Sequence, residues 1–319
     1  MDTMPAQGPW NVFSDPFSGK IKDGKLYGRG SADMKAGTLA GFYALKCIRD
    51  LGLELDGDVY AESVIDEENG GVNGTIASRL RYPDMDFAIL AEVTNLAIGV
   101  ETIGGSDWVA QVNEAGPGGI GTDTELPNPI YKLSRVAQAL EKYDKQVLAR
   151  EEPPSTYSRD MKLRLLTYQF SSGGSSYPES GSVPTKGHIY FWLETFACTS
   201  EKEARKKFLD FMAEELKDIS APKPELDTVI RFLEGHRTDI KHPAMDSIRS
   251  AYRSLGLKLD ERGLGLAMDA YAFKAASNTD VAVIGPRGAN LHGMDEYVEL
   301  ESVYNLIKIM VLAAINYCG

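Results

Sequence analysis

The sequence predicts an α/β protein in which helices cover both sides of a mixed sheet, with a second, βαββαβ domain inserted into the first. Short β-rich runs alternate with helical periods up to about residue 102 and again after about residue 235, whereas the rhythm between them differs. Alternating strands and helices are typical of a sheet that is covered on both faces. The 319 residues are also long enough for two domains, since one domain takes roughly 150 residues.

The predicted first domain begins with strands and one amphipathic helix. Its β-rich runs are residues 25–27, 58–65, 86–91 and 97–100. A helix that stops at Gly52 is predicted by apolar residues at helical spacing, namely Leu39, Phe42, Tyr43, Leu45, Cys47 and Ile48. After the insertion, the pattern predicts a helix, a strand and a closing helix over residues 242–255, 281–284 and 299–317. We therefore place this domain at residues 1–103 and 236–319.

The predicted inserted domain covers residues 104–235. Its elements are a strand, a helix, two strands, a helix and a strand, at residues 108–112, 130–143, 162–170, 188–196, 200–216 and 228–233. This order is typical of a small ferredoxin-like sheet with two helices on one face.

Composition narrows the classes of partner. The chain has 34 Lys+Arg and 46 Asp+Glu, so its formal charge is −12. Such a charge repels nucleic acid and anionic lipid, which leaves small molecules as the expected partners. Cys47, Cys198 and Cys318 are scattered and odd in number. They indicate neither a disulfide framework nor a thiolate zinc site and favour a cytoplasmic location.

We expect neither a targeting segment nor a membrane span. Residues 1–5 lack a basic region followed by an apolar run. The most apolar stretch, residues 303–318, contains Asn305, Lys308 and Asn316. It is too short and too polar to cross about 30 Å of hydrocarbon and is interpreted as a buried helix.

Several acidic residues follow predicted strands. Asp33, Glu67, Glu68 and Glu92 each come soon after a β-rich run, where α/β sheets bind their ligands. Acids that converge on one crevice repel one another unless cations hold them, and carboxylates with a histidine suit zinc. From spacing alone, surface caps and turn residues are an equally good interpretation.

Two long motifs favour the metal interpretation. Residues 23–35 (DGKLYGRGSADMK) and 66–71 (DEENGG) closely resemble the zinc-dependent aminoacylase and exopeptidase family. That family includes acetylornithine deacetylase, succinyl-diaminopimelate desuccinylase, aminoacylase and the glutamate carboxypeptidases. The resemblance extends over essentially the whole chain, and it implies a zinc-peptidase-like catalytic domain with an inserted lid domain that forms a homodimer.

The resemblance also implies a role for each site residue. Asp33 would bridge two zinc ions, with a cis peptide bond after it, and Glu68 and Glu92 would each bind one ion. His292, in a His-x-x-x-Glu-Tyr pattern, would complete the metal ligands. The resemblance makes Glu67 the general base, and the turn at residues 69–71 agrees with this, since it allows neighbouring glutamates to serve two roles.

The implied reaction is metal-assisted hydrolysis of an amide. Glu67 would take a proton from water and pass it to the leaving amine. The expected substrate is an N-acyl amino acid or small peptide, and cobalt is an alternative to zinc.

The sequence departs from the family pattern at two places. The first motif, His-x-Asp-Thr-x-Pro, is matched by residues 1–5, so that Asp2 corresponds to an aspartate that orients the zinc-ligating histidine. That histidine would precede the first residue, and we expect an internal methionine start or a truncated gene. In the lid, Ile120 replaces a histidine that helps to stabilise the intermediate, whereas Asn128 matches a substrate-binding asparagine.

These departures keep a rival hypothesis open. The rival is a catalytically impaired binding or regulatory paralogue that retains the fold. The retained acids and His292 favour an enzyme, whereas Ile120 and the absent histidine favour the rival.

Overall fold

The computed structural model describes residues 2–114, 128–173 and 184–319. Its contacts divide the chain into two compact units. The first unit comprises Met1–Thr102, His236–Leu264 and Met268–Gly319, and the second comprises Ile103–Gly235 and Gly265–Ala267.

Strands and helices are interspersed in the first unit and follow βαββαβ order in the second. The strands are β1 (Ile21–Lys22), β2 (Lys25–Tyr27), β3 (Phe87–Leu90), β4 (Ile98–Thr102), β5 (Gly104–Asn113), β6 (Leu165–Ser172), β7 (Lys186–Thr195), β8 (Glu225–Thr228), β9 (Glu261–Leu264), β10 (Asp280–Val283), β11 (Gly288–Ala289) and β12 (Tyr297–Glu299). The helices are α1 (Ala36–Asp50), α2 (Ala77–Arg81), α3 (Pro129–Gln146), α4 (Glu201–Glu215), α5 (Pro243–Ser254), α6 (Ala270–Ala276) and α7 (Leu300–Cys318).

The main sheet of the first unit is mixed and has helices on both faces. Its strand order is β3-β10-β4-β9, in which β10 is parallel to β3 and antiparallel to β4. Successive side chains of a strand point to opposite faces. Accordingly, Ala282 of β10 packs in a core with α1, α5 and α7, whereas Val281 and Val283 pack in a second core with α6. The predicted α/β architecture is confirmed.

A smaller sheet of the first unit, β1-β2-β12-β11, brings two distant turns together. Strand β12 is antiparallel to β2, with Tyr297 opposite Tyr27. The backbone N–H of Gly28 then donates to the carbonyl of Glu296, at 3.0 Å. The turn after β2 therefore lies beside the turn before β12.

Residues 58–65 were expected to form a strand, and this prediction is wrong. They are irregular, and Tyr60 and Ile65 are 67% and 57% exposed. None of the strands in the described ranges pairs with this segment. A strand needs a neighbour for its backbone groups, and a β-rich sequence alone does not supply one.

The sheet of the second unit is antiparallel, in the order β6-β7-β5-β8. Residues of α3 and α4, including Tyr143 and Phe208, pack with Trp108 and Phe191 of this sheet in one apolar core. This is the predicted βαββαβ arrangement. The last strand is shorter and earlier than expected, because the chain bends soon after Thr228, and Leu233 then forms an isolated bridge with Gly105.

Across the described parts of the chain, no helix combines the length and the apolar character that crossing a bilayer requires. The apolar α7 instead buries Leu306, Ile309 and Ala313 in the core of the first unit.

Candidate metal centre

Asp33 lies in an irregular helical turn, Ser31–Lys35, between β2 and α1. Its φ and ψ are −109° and 95°, which are not helical values. The Asp33–Met34 peptide bond is cis. This irregular geometry sets Asp33 apart from the regular α1 that begins at Ala36.

Glu67 and Glu68 lie in a tight turn, Glu67–Asn69, as the Gly-rich motif predicts. Asp66 and Gly70 flank it with φ of 70° and 87°. Gly71 also has a positive φ, and a Cβ at this position would overlap the carboxylate of Asp269. Such a backbone favours glycine and takes two adjacent glutamates out of regular structure.

Asp33, Glu68 and His292 converge. One ligand atom from each lies within 4.8 Å of the others. The Nε2 atom of His292 is 3.1 Å from Asp33 Oδ2 and 3.1 Å from Glu68 Oε2. The hydrogen bond of His292 with Asp33, and next in size that with Glu68, raise the pKa of His292 to about 10. Two carboxylates and an imidazole are a donor set that zinc and similar divalent ions prefer.

Glu92 follows β3 and is buried. Burial raises its pKa well above the usual value, and the negative charges of Asp33 and Glu67 add to the shift. Its Oε1 atom is buried and accepts no hydrogen bond from the described part of the chain. Burial of a carboxylate without a partner is unfavourable in free energy, and a nearby cation would offset this cost. Glu92 is not one of the three residues of the tight cluster.

Glu67 belongs to the same acidic surroundings. Burial is the largest cause that raises its pKa to about 8, followed by the charges of Asp269 and Asp33. A glutamate whose pKa lies near neutral pH is suited to taking up and releasing a proton.

Asp2 holds the backbone next to the cluster. Its Oδ2 accepts a hydrogen bond from the N–H of Glu68 at 3.2 Å. The N–H of Met4 donates to Glu68 Oε1 at 3.1 Å. The beginning of the described chain therefore fixes the main chain and one carboxylate oxygen of Glu68.

Asn128 belongs to the second unit and directly precedes α3. Its N–H donates to Glu114 Oε2 at 2.9 Å, and its Oδ1 is buried without a hydrogen bond from the described residues. Ile120, the other lid position of interest, lies outside the described residues.

Two further buried acids lie beside this cluster, and sequence reasoning weakly placed only the second, Asp269, near the substrate. Glu296 is fully buried and is bound by Arg29 and by three backbone N–H groups. Asp269 is 2% exposed and accepts a hydrogen bond from Thr75 Oγ1 at 2.5 Å. Glu296 was visible only as part of the His-x-x-x-Glu-Tyr pattern, because its partners are more than 250 residues away in the sequence.

Among known proteins, some relatives match a short segment of the chain and others match nearly all of it. The chain is 43% identical over 84 residues to N-formyl-4-amino-5-aminomethyl-2-methylpyrimidine deformylase of Bacillus subtilis (strain 168), which covers 26% of this chain and 20% of that relative. It is 25% identical over 320 residues to succinyl-diaminopimelate desuccinylase of Dechloromonas aromatica (strain RCB), which covers 97% of this chain and 79% of the relative.

The fold is similar to that of a solved dipeptidase, Dug1p from Saccharomyces cerevisiae. The TM-score is 0.78 at 15% identity, over 99% of this chain and 78% of that structure. At this identity the likeness shows the fold alone, and not the substrate.

Residues 1–316 match the model of peptidase family M20/M25/M40. This match and the desuccinylase relative support a hydrolytic enzyme, and the cluster of Asp33, Glu68 and His292 is consistent with a divalent metal. Because the match covers nearly the whole sequence, the chain belongs to peptidase family M20/M25/M40.

Proposed function

We propose that this protein is a metal-dependent hydrolase that cleaves the amide bond of an N-acyl amino acid or small peptide, in the manner of acetylornithine deacetylase or succinyl-diaminopimelate desuccinylase. The observation that carries the proposal is the convergence of Asp33, Glu68 and His292. The names of the relatives, a desuccinylase and a deformylase, support an amide substrate.

The proposed metal is zinc, with two ions in the complete site and cobalt as an alternative. Asp33, Glu68, Glu92 and His292 would hold it. The residues fit such ions, because the donors of the cluster are carboxylates and an imidazole and because Glu92 Oε1 is buried without a partner among the described residues. When bound, the metal would polarise the scissile carbonyl and stabilise the charge that develops on its oxygen.

Glu67 is the proposed general base. Its carboxylate would accept a proton from the attacking water and then donate that proton to the leaving amine. Burial and neighbouring acids raise its pKa to about 8, and a pKa near neutral pH supports a carboxyl that both takes up and releases a proton. Asp2 would act by holding the backbone of Glu68, and Asn128 is proposed to bind substrate.

Further features of the proposal rest on composition and resemblance. A homodimer is proposed from the family resemblance. The three free cysteines support a cytoplasmic location. The charge of −12 supports small-molecule partners over nucleic acid or membrane surfaces.

The proposal is tested by hydrolysis assays on the zinc-loaded and cobalt-loaded chain, with N-succinyl and N-acetyl amino acids and dipeptides as substrates. We expect amide cleavage that a chelator abolishes. Loss of a general base lowers rates by about 10²–10⁴-fold, so Glu67→Gln should lower kcat by this factor while metal content stays unchanged.

The control is Glu101→Gln, which alters a buried glutamate that pairs with Arg237. It should retain the activity of the unaltered chain. A chain that binds zinc tightly but cleaves none of these substrates would contradict the proposal and favour the binding or regulatory paralogue.

A further inference from the structure

The carboxylate of Glu296 is bound on both oxygens. Oε2 accepts from Arg29 Nη1 at 2.6 Å and from the N–H of Gly30 at 2.9 Å. Oε1 accepts from the N–H groups of Ala32 and Asp33, at 3.0 and 3.1 Å. One fully buried side chain therefore fixes the backbone of the turn that carries Asp33.

Arg29 extends this network toward His292. Its Nη2 donates to the carbonyl of Gly293, the residue after His292, at 2.8 Å. The guanidinium is shielded, because Arg29 is 4% exposed and lies 5.8 Å from the centre of the Trp10 ring. Charge-assisted hydrogen bonds in such a dry position are stronger and more directional than exposed ones.

The pair links two turns that are far apart in the sequence. Glu296 stands four residues after His292, and Arg29 stands four residues before Asp33. Arg29 also bonds the backbone of Gly293, next to His292, and Glu296 bonds the backbone N–H of Asp33. The distance between Asp33 and His292 therefore depends on this pair as well as on the pairing of β2 with β12.

A purely structural ion pair is the alternative. Buried ion pairs often contribute little net stability, because desolvation offsets their attraction. A general stabilising role also does not require the three backbone N–H groups bound by the Glu296 carboxylate to fall within residues 30–33. These contacts favour a role in geometry.

We propose that Glu296 and Arg29 are positioning residues that set the separation of Asp33 and His292 for a divalent metal. This inference rests on the metal site of the proposed function but not on amide hydrolysis. Groups that orient metal ligands commonly change metal affinity by about 10–100-fold when they are altered.

Glu296→Gln probes the geometry with little change in volume. A glutamine has a single acceptor oxygen, and the positive charge of Arg29 should attract it. The NH₂ group would then face the N–H groups of Ala32 and Asp33. All of these groups are hydrogen-bond donors, so none of them would have an acceptor there. The turn that carries Asp33 should move, although the side chain keeps its size.

The test is a titration of the metal-free chain with Co²⁺, followed by visible absorption, which reports the geometry of the metal's ligands. We expect Glu296→Gln to weaken Co²⁺ binding by about 10–100-fold and to change the absorption spectrum. Arg29→Lys retains the charge but not the forked contacts, so we expect a smaller loss in the same direction. The matched control is Glu101→Gln, which removes the charge of another buried glutamate of the same unit, paired with the half-exposed Arg237, and should leave both readouts unchanged.

Two results would overturn the inference. One is Co²⁺ affinity and spectrum of Glu296→Gln equal to those of the unaltered chain. The other is an equal loss of affinity in Glu101→Gln, which would indicate a general effect of lost stability. If Glu296→Gln does not fold, Arg29→Lys decides by the same criteria. Because substrate is absent, failure to hydrolyse amides would contradict the proposed function without changing these outcomes.

Discussion

The two units bury very different side chains. Every charged residue that is buried in the described ranges belongs to the first unit: Arg29, Arg79, Glu92, Glu101, Asp269 and Glu296. In the second unit, the buried polar residues of those ranges are only Ser106 and Thr195. Its core instead contains the clustered rings of Trp108, Tyr143, Phe191 and Phe208.

The difference indicates a division of labour. Burial of apolar rings stabilises a fold directly. Burial of like charges opposes folding unless partners or cations compensate. The second unit is therefore expected to be stable through its own packing, whereas the first unit should depend on what binds its acids.

The largest expected effect is in the aromatic core of the second unit. Phe208 is fully buried, and its ring centre lies 4.9 Å from that of Trp108 and 5.1 Å from that of Tyr143. Truncation of such a ring costs about 3–5 kcal/mol, so Phe208→Ala should lower the free energy of unfolding by this amount. Denaturant unfolding measures it, and Phe170→Ala, at a 48% exposed position, is the control. A comparable loss in both variants would contradict the aromatic core as the source of stability.

The second effect concerns metal and the first unit. Zinc at about 100 times its Kd should raise the free energy of unfolding by about 2.7 kcal/mol through binding to the folded state. Hydrogen exchange should slow in residues 29–35, 66–71 and 290–296, which carry the acids and His292. Exchange in β5, β6 and β7 should stay unchanged. If zinc slowed hydrogen exchange equally in both units, the first unit would not depend more than the second on what binds its acids.

The smallest effect is a pH dependence in the second unit. Burial raises the pKa of Glu194 to about 7, although the N–H of Arg164 donates to its carboxylate and opposes the shift. The folded chain therefore holds a proton that the unfolded chain releases above its usual pKa of 4.5. Stability from this group is complete below pH 4.5 and is lost as the pH rises through 7.

Glu194→Gln keeps an acceptor for Arg164 but cannot ionise. Relative to the unaltered chain, the variant should gain about 1 kcal/mol between pH 5 and pH 8, a value reduced for the partial exposure of the group. Urea unfolding at the two pH values measures this gain. If the variant and the unaltered chain differed in free energy of unfolding by the same amount at both pH values, Glu194 would not titrate in this range.

The fold was largely predictable where local pattern determines it. The β-rich run at residues 188–196 predicted a strand, and β7 forms there, with buried and partly exposed residues alternating along it. Residues 58–65 are also β-rich but remain irregular, because strand formation also requires a pairing partner. A sequence pattern does not report whether that partner is present.

The site was predictable from motifs and not from periodicity. The motifs singled out Asp33, Glu68 and His292, which the structure brings together. The contacts of Glu296 with Arg29 and with the turn before Asp33 were not foreseen. They join segments more than 250 residues apart, and local spacing holds no information on such pairs.

The most direct test of the metal centre is a zinc titration, by competition with a coloured chelator, of the unaltered chain, Asp33→Asn and Asp107→Asn. Asp107, in β5 of the second unit, is the control, because burial also raises its pKa while it accepts a hydrogen bond from Tyr168. The unaltered chain and Asp107→Asn should bind zinc alike, and Asp33→Asn should lose most of this binding. Equal zinc binding by Asp33→Asn and the unaltered chain would contradict a metal centre built on Asp33, Glu68 and His292.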